Sequence, residues 1–486
     1  MKKFAFTFIG IVYFLNICQA QLNKLCPISS KVYDKQKIKG MNLLLNTKDC
    51  TPYFFYNGKT RRTASVQLVK ALQPFPPLWY QMGNQEADTL GFFETTFLFN
   101  IRIQENGGNL TFFNSYPGKF FGSLSIDTAT LEPTDTLTKY INSPANNEYI
   151  IDPHDYQIDA DGNKLIANHL LVKIDARCLS GLEKDSSIDA YINEILILNK
   201  NDSIVFTWNP LKHLSVCEMN WDYKEASITF GDIINWSHIN SLRFSNDGNI
   251  LYSFRHIGVG KINKTTGDII WKLGGKDSLN SIPLSDNSNY FLQHDFLQNK
   301  NGLYSLFSNG DNAHQYLNVL VFDIDDKKKI ATLVKNYRPQ PVIYSKSMGN
   351  YECKNDTCIT CYGAYFVENS TKPHEIAQVL IGNKIVASIK APDLNYPYKV
   401  LQTKWAALQR RPKVVLKKNV LYSDSLMGLH DYTWYKIDST TATPVGIGKT
   451  YAPLKSGNYV VEAQQGAGIF KSFLVSNVFS FIKKKK

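Results

Sequence analysis

Between residues 236 and 295 the chain places His238, Asn240, Arg255, His256 and His294 on short segments rich in β-branched residues: W-S-H-I-N at 236–240, S-F-R-H at 253–256 and Q-H-D at 293–295. That patterning belongs to strands, not to helices. A strand buries one face, and a buried polar group without a partner costs about 2–7 kcal/mol. These nitrogen-bearing groups must therefore pair with one another or line a polar cavity. Gathered around one point, they supply what a tetrahedral anion requires: a planar guanidinium fork, a neutral amide donor, and imidazoles that stay largely neutral near pH 7 because their ordinary pKa is about 6.5. Several histidines together also suit a metal. The Asn and Arg among them are poor transition-metal ligands and weigh against that reading.

A sequence repeat explains how such groups meet. One unit is a strand, a tight polar turn and a second strand: Asp161-Gly162-Asn163-Lys164-Leu165, Asp247-Gly248-Asn249-Ile250-Leu251 and Asn301-Gly302-Leu303-Tyr304. Asp-Gly and Asn-Gly are strong hairpin signals, with both turn residues expected at positive φ. A second unit follows each, at 196–208 (LILNKNDSIVFTW), 262–271 (INKTTGDIIW) and 321–337 (VFDIDDKKKIATLVKNY), again strand, turn and strand, closing on an aromatic residue. Four strands per repeat without helical periodicity is the pattern of a β-propeller blade. Five blades are legible, the weaker ones near 106–109 and 357–363, and a sixth fits ahead of residue 105.

Counted back from the turn glycine, His154, Asn240 and His294 each stand 8 residues before Gly162, Gly248 and Gly302. Equivalent positions in successive blades are related by rotation, so these side chains are expected in a partial ring. His238, two residues before Asn240, shares its strand face, and simple hairpin register sets Arg255 opposite Asn240. The expected cluster is His154, His238, Asn240, Arg255 and His294. His256 should face away, Asp295 should be structural, and His169, His213, His314, His374 and His430 are expected to be ordinary structural or surface groups.

The motifs H-D-Y-Q at 154–157, H-I-N at 238–240, S-F-R-H at 253–256, K-T-T-G-D-I-I-W-K-L-G-G at 264–275 and Q-H-D at 293–295 resemble, in matching order over roughly residues 100–370, the arylsulfate sulfotransferases. The resemblance implies an exported six-bladed propeller that moves a sulfuryl group from a phenolic sulfate donor to a phenolic acceptor, without a nucleotide donor or other cofactor. It also implies that His294 is the nucleophile, transiently sulfated, and that His154, His238, Asn240 and Arg255 hold the sulfuryl oxygens. Phe254 ahead of Arg255, Ser308 ahead of Asn309-Gly310, and a cysteine-bearing stretch at 350–361 depart from the usual pattern. The chemistry stands independently. A sulfate monoester spreads charge over its outer oxygens in a loose transition state, where placed donors do most of the work, and a neutral imidazole is a competent nucleophile. Protonating the leaving phenolate requires another acid, for which His238 and His154 are the candidates. A non-catalytic propeller that binds an anion in the same channel is the alternative.

Composition sets the boundaries. With 43% hydrophobic and 20% charged residues the chain is globular. Lys2 and Lys3 precede an apolar run over 4–17, so residues 1–20 are expected to be an export signal, and no later stretch reaches the ~20 apolar residues of a membrane span. Residues 21–60 are expected as an N-terminal extension, 61–395 as the propeller, and 396–486, with its own short alternating strands, as an immunoglobulin-like β-sandwich. The formal charge of +12 is spread along the chain, and no nucleic-acid motif accompanies it. In an exported protein Cys353, Cys358 and Cys361 are better read as disulfide formers than as metal ligands. Gly446-Ile447-Gly448-Lys449-Thr450 imitates the end of a phosphate-binding loop but lacks its first glycine, since Thr443 stands there.

Overall fold

The computed structural model describes residues 29–47, 53–56, 59–62, 97–104, 109–116, 119–127, 133–137, 150–219, 233–274, 280–285, 288–363, 374–391, 397–403, 412–424, 429–438, 442–465, 472–476 and 478–483. The expected export signal lies outside these residues. Among them there is no α-helix, only two 3-10 turns at Pro210–Lys212 and Val216–Glu218. Among the described residues no helix is long and apolar enough to cross a membrane.

Antiparallel sheets follow one another along the chain. The first joins Phe97–Ile103, Asn109–Tyr116, Lys119–Asp127 and Pro133–Leu137. The second is built on Gln157–Ile158, Lys164–Ile174, Ile188–Leu198 and Ile204–Trp208; the third on Ile239–Phe244, Ile250–Phe254, Gly258–Ile262 and Ile269–Leu273. The fourth runs through His294–Gln298, Tyr304–Ser308, Asn318–Asp325 and Ile330–Tyr337. The fifth takes Asn350–Lys354, Thr357–Cys361, His374–Ile381 and Lys384–Ala391, with Ser29–Val32 added at its edge. The sixth pairs Pro397–Thr403 with Asn42–Thr47, then Tyr53–Tyr56 and Lys59–Arg62. The division expected at residues 60/61 falls inside the strand Lys59–Arg62, and that at 395/396 would part Pro397–Thr403 from its partner Asn42–Thr47. Ser29–Val32 completes the fifth sheet, and Asn42–Thr47, Tyr53–Tyr56 and Lys59–Arg62 complete the sixth, in which Pro397–Thr403 pairs with Asn42–Thr47.

Each sheet packs on the next, and the first strands of sheets three to six touch in succession before the sixth returns to the first. Apolar side chains fill the spaces between the sheets. Ile192, Trp236, Leu242 and Ile250 lie in the core of the second and third, and Trp271, Phe296, Tyr304 and Leu320 in that of the third and fourth. The aromatic residue that closes a repeat reaches into the following sheet. Trp208 Nε1 donates to the Gly267 carbonyl (2.9 Å), Trp271 Nε1 to Asp326 (2.7 Å), and Tyr337 Oη to Gln378 (3.2 Å). The outermost strand Ile330–Tyr337 of the fourth sheet alternates exposed and half-buried residues throughout.

The three strong turn signals fold alike. In each, residue i+3, a glycine, donates to the carbonyl of residue i: Gly162 to Asp159 (3.2 Å), Gly248 to Ser245 (2.8 Å) and Gly302 to Asn299 (2.9 Å). Only the glycine, at φ of 83°, 79° and 90°, is left-handed. The expectation that both central residues take positive φ fails because the loop is one residue longer than a two-residue turn.

The C-terminal strands form two further sheets, Val414–Lys417, Val420–Ser423 and Thr450–Tyr451 in one, and Ala442–Ile447, Leu429–Ile437, Gly457–Gln465, Ser472–Val475 and Phe479–Phe481 in the other. Their core holds Leu421, Trp434, Tyr459, Val461 and Phe481. Disulfides join Cys178 to Cys217 and Cys353 to Cys358, and Cys361 is a buried thiol.

Candidate active site

The sheets deliver the expected side chains to one end of the assembly. His238 directly precedes the first strand of the third sheet, and its carbonyl accepts the Arg255 amide at 3.0 Å. Simple register set Arg255 opposite Asn240. Instead the strand bulges between Ile239 and Ser241, Ile239 pairs with Phe254, and Arg255 faces His238. His238 is held at φ 45°, so the rule that residues two apart share a face does not apply to it. His294 opens the first strand of the fourth sheet, and His154 lies in the segment that leads into Gln157–Ile158. The five expected residues are neighbours: the His154 and His238 rings are 5.1 Å apart between centroids, Arg255 Nη1 is 3.2 Å from His294 Nδ1, and Asn240 Nδ2 donates to the carbonyl of Gln293, next to His294, at 2.6 Å. That bond takes one of the two N–H groups expected from Asn240.

His294 is buried, and its tautomer can be read from its partners. Asn309 Nδ2 donates to the Met348 carbonyl (2.9 Å) and to Ser345 Oγ (3.2 Å), which turns Oδ1 toward His294 Nδ1 at 2.6 Å. Nδ1 therefore carries the proton. Nε2 keeps its lone pair and accepts the Met348 amide at 3.2 Å. The nearby Arg255 Nη1 finds no lone pair on a protonated Nδ1, so that contact is between a charge and a ring, not a hydrogen bond. Arg255 itself is anchored by the carbonyls of Leu292 (3.2 Å) and Lys346 (2.8 Å). Burial first, and then the Arg255 guanidinium, hold the His294 pKa well below the ordinary imidazole value, against the opposing pull of the Asn309 bond. The neutral form persists in acid as a result.

The second and third sheets supply the remaining imidazoles. Asn235 Nδ2 donates to His238 Nδ1 at 3.1 Å, so the proton of a neutral His238 sits on Nε2. Burial, with His154, His256 and Arg255 nearby, keeps His238 well below the usual range. His256 does turn from Arg255 as expected: it is buried, gives Nδ1 to the Asn235 carbonyl (2.8 Å), and packs edge-on to His238 with its pKa lowered to about 3, chiefly by burial. His154 binds through Nδ1 to Asp152 Oδ1 at 2.8 Å. His169, expected to be an ordinary structural group, lies 2.6 Å from Asp152 Oδ2 and so belongs to this cluster.

Next to the imidazoles in the chain lies a buried ionic knot. Asp155 pairs with Arg243. Arg243 also reaches Asp295 at 3.2 Å, and Lys399 stands 3.1 Å from Asp295. All four are buried. Burial lowers the Lys399 pKa, although Asp155 and Asp295 pull the other way. Asp295, expected to be structural, turns to Arg243 and Lys399. Its signal in the sequence is the repeated His-Asp pair at 154–155 and 294–295, in which one residue faces the site and its neighbour the knot. Asn309, Asp152 and Asn235 were not foreseen. The Asn309-Gly310 dipeptide is the one local clue: Gly310 sits at φ 84°, where any Cβ would collide with the His314 carbonyl.

The arylsulfotransferase (ASST) family profile matches residues 105–390 of this chain. No curated protein matches it. Among solved structures it is similar to TolB from Acinetobacter baumannii (7% identity, TM-score 0.38, covering 75% of this chain and 66% of that one). It is also similar to the periplasmic gluconolactonase PpgL of Pseudomonas aeruginosa (12%, 0.37, 75% and 99%) and to the WD40 β-propeller domain of Doa1 (10%, 0.30, 76% and 95%).

Proposed function

The chain belongs to the arylsulfotransferase family, and from that premise we propose that it carries a sulfuryl group from a phenolic sulfate ester to a phenolic acceptor by a ping-pong route through sulfated His294. The observation that carries this reading is the fixed tautomer of His294: Asn309 holds the proton on Nδ1, which leaves the lone pair on Nε2 to attack sulfur as the Met348 amide gives it up, with Arg255 against the same ring. In the first half-reaction the Nε2 lone pair forms the N–S bond while the S–O pair departs with the phenolate. Arg255, the His238 Nε2–H and the remaining Asn240 N–H stabilise the sulfuryl oxygens, and each such donor contributes about 10²–10³ in rate. The Met348 amide, released as Nε2 bonds to sulfur, becomes a further donor to those oxygens. The phenolic acceptor then attacks sulfur and His294 leaves with its lone pair restored. We also read the six sheets as the blades of a closed propeller, the C-terminal sheets as an immunoglobulin-like module, and the protein as exported, which the two disulfides support.

The test is incubation with an aryl sulfate, with and without a phenol. Phenol release, together with a sulfate-mass adduct on His294 that a phenolic acceptor discharges, is expected; His294→Ala should abolish both. Tight binding of the aryl sulfate without turnover would mean an anion-binding propeller instead.

A further inference from the structure

Asp152 has a role that the family reading does not assign. It is 1% exposed, and donors surround its carboxylate: the His154 amide and His154 Nδ1, each at 2.8 Å on Oδ1, and His169 at 2.6 Å and Asn193 Nδ2 at 3.0 Å on Oδ2. Four donors occupy roughly all the acceptor positions of a carboxylate. Burial raises its pKa, but the two imidazoles and their hydrogen bonds outweigh burial and hold the carboxyl well below its usual range. Asp152 therefore stays charged, and the proton between it and His154 stays on His154 Nδ1. His169 and Asn193 fix Oδ2, which aims Oδ1 at His154.

The two imidazoles that face the site thus differ. His238 is half-buried, and its Nδ1 accepts from Asn235, so it donates from Nε2 and stays neutral. His154 is the one with a carboxylate behind it, and 26% of its side chain is open to solvent. A carboxylate on Nδ1 stabilises the imidazolium that forms when Nε2 takes a proton, and an open edge lets that proton exchange.

We infer that His154 is the general acid and base of sulfuryl transfer, with Asp152 its positioning residue and His169 and Asn193 the groups that hold Asp152 in place. In the first half-reaction the S–O bond breaks and its electron pair goes to the phenolate oxygen, which takes the proton from His154 Nε2. In the second, the acceptor phenol gives its proton to the same nitrogen as its oxygen bonds sulfur and the N–S pair returns to His294. Protons balance over the cycle. His238 serves only as a hydrogen-bond donor.

This inference rests on the sulfotransferase reading, and leaving groups of graded basicity test the two separately. Single-turnover phenol release is measured with a nitrophenyl sulfate, whose phenolate is stable unprotonated, and with phenyl sulfate, whose phenol has a pKa of about 10. The proteins are the unaltered chain, Asp152→Asn and His154→Gln. A general acid contributes about 10²–10⁴ in rate when the leaving group is basic. Both variants should therefore lose about 10²-fold or more with phenyl sulfate and no more than a few-fold with the nitrophenyl ester. Equal losses on both esters in His154→Gln would mean a structural role and overturn the assignment, as would an unchanged rate on phenyl sulfate. Because His154 is half-open, its variant gives this answer even where Asp152→Asn fails to fold. No turnover of either ester by the unaltered chain would overturn the sulfotransferase reading itself.

Discussion

At His294 the Nδ1 proton has only an amide carbonyl to go to. In the proposed mechanism, a retained Nδ1 proton on the Nε2-sulfated ring gives it a positive charge and makes neutral imidazole the leaving group. A carboxylate at position 309 would hold or remove that proton. Asn309→Asp is expected to lengthen the life of the sulfated enzyme about 10–100-fold, the usual scale for groups that orient a reacting ligand; following the adduct mass after acceptor is added checks this. The buried imidazoles also tie stability to pH. His238, His256 and His294 are all lowered, burial being the first cause in each. The unfolded chain takes up their protons near pH 6.5 while the folded chain refuses them, so this stability is complete above that pH. It falls as the pH drops, by about 1.4 kcal/mol per unit for each group, until the folded pKa is reached; for His256 that is about 3. Urea midpoints at pH 7.5 and 5.5 should differ accordingly, and His256→Gln should flatten the dependence by about a third, its share among three equal groups.

Bulges, more than the strands themselves, set the geometry of the site. The first strands of the first, third and fourth sheets bulge at Phe99/Arg102, Ile239/Ser241 and His294/Leu297, and Asn100, His238 and Asp295 there have φ of 46°, 45° and 50°. Left-handed backbone costs a non-glycine residue about 1–3 kcal/mol, least for Asn. His238→Asn is therefore expected to keep the melting temperature while losing about 10²-fold in transfer rate, and His238→Val to lose both; differential scanning calorimetry beside the single-turnover assay separates the two effects. The same bulges mark what the sequence could convey. Turn glycines 162, 248 and 302 and the closing residues Trp208, Trp271 and Tyr337 were legible because each is a local requirement. The residues of the cluster were legible from their repeat positions. Their exact facing was not, since a bulge shifts register by one without a signature of its own. Asp152 and Asn309 were not legible because part of their meaning lies in partners from other strands and loops, His169 and Asn193 for the one and Ser345 and Met348 for the other, while Asn235 meets His238 only three residues on, through a backbone turn that leaves no mark in the sequence.

At the scale of the whole molecule, one seam joins N-terminal strands to strands between residues 384 and 403. Asn42–Thr47 pairs with Pro397–Thr403, and Ser29–Val32 with Lys384–Ala391. The seam matters to the site because Lys399, on the strand it secures, stands beside Asp295, whose neighbour in the chain is His294. Without Asn42–Thr47 the strand that carries Lys399 loses its partner, and Asp295 risks becoming a buried charge missing one of its cations, a loss of about 3–5 kcal/mol. A chain that starts at residue 61, a natural cut if the first sixty residues were only an extension, is therefore expected to be insoluble or to lack near-ultraviolet circular dichroism. Supplying residues 21–60 as a separate chain in the same cell should restore soluble protein, since the missing strands contribute by pairing and not by covalent continuity. If the shortened chain folds alone and still forms the His294 adduct, the seam does not hold the site together, and the ionic knot must draw its order from Asp155, Arg243 and Asp295 alone.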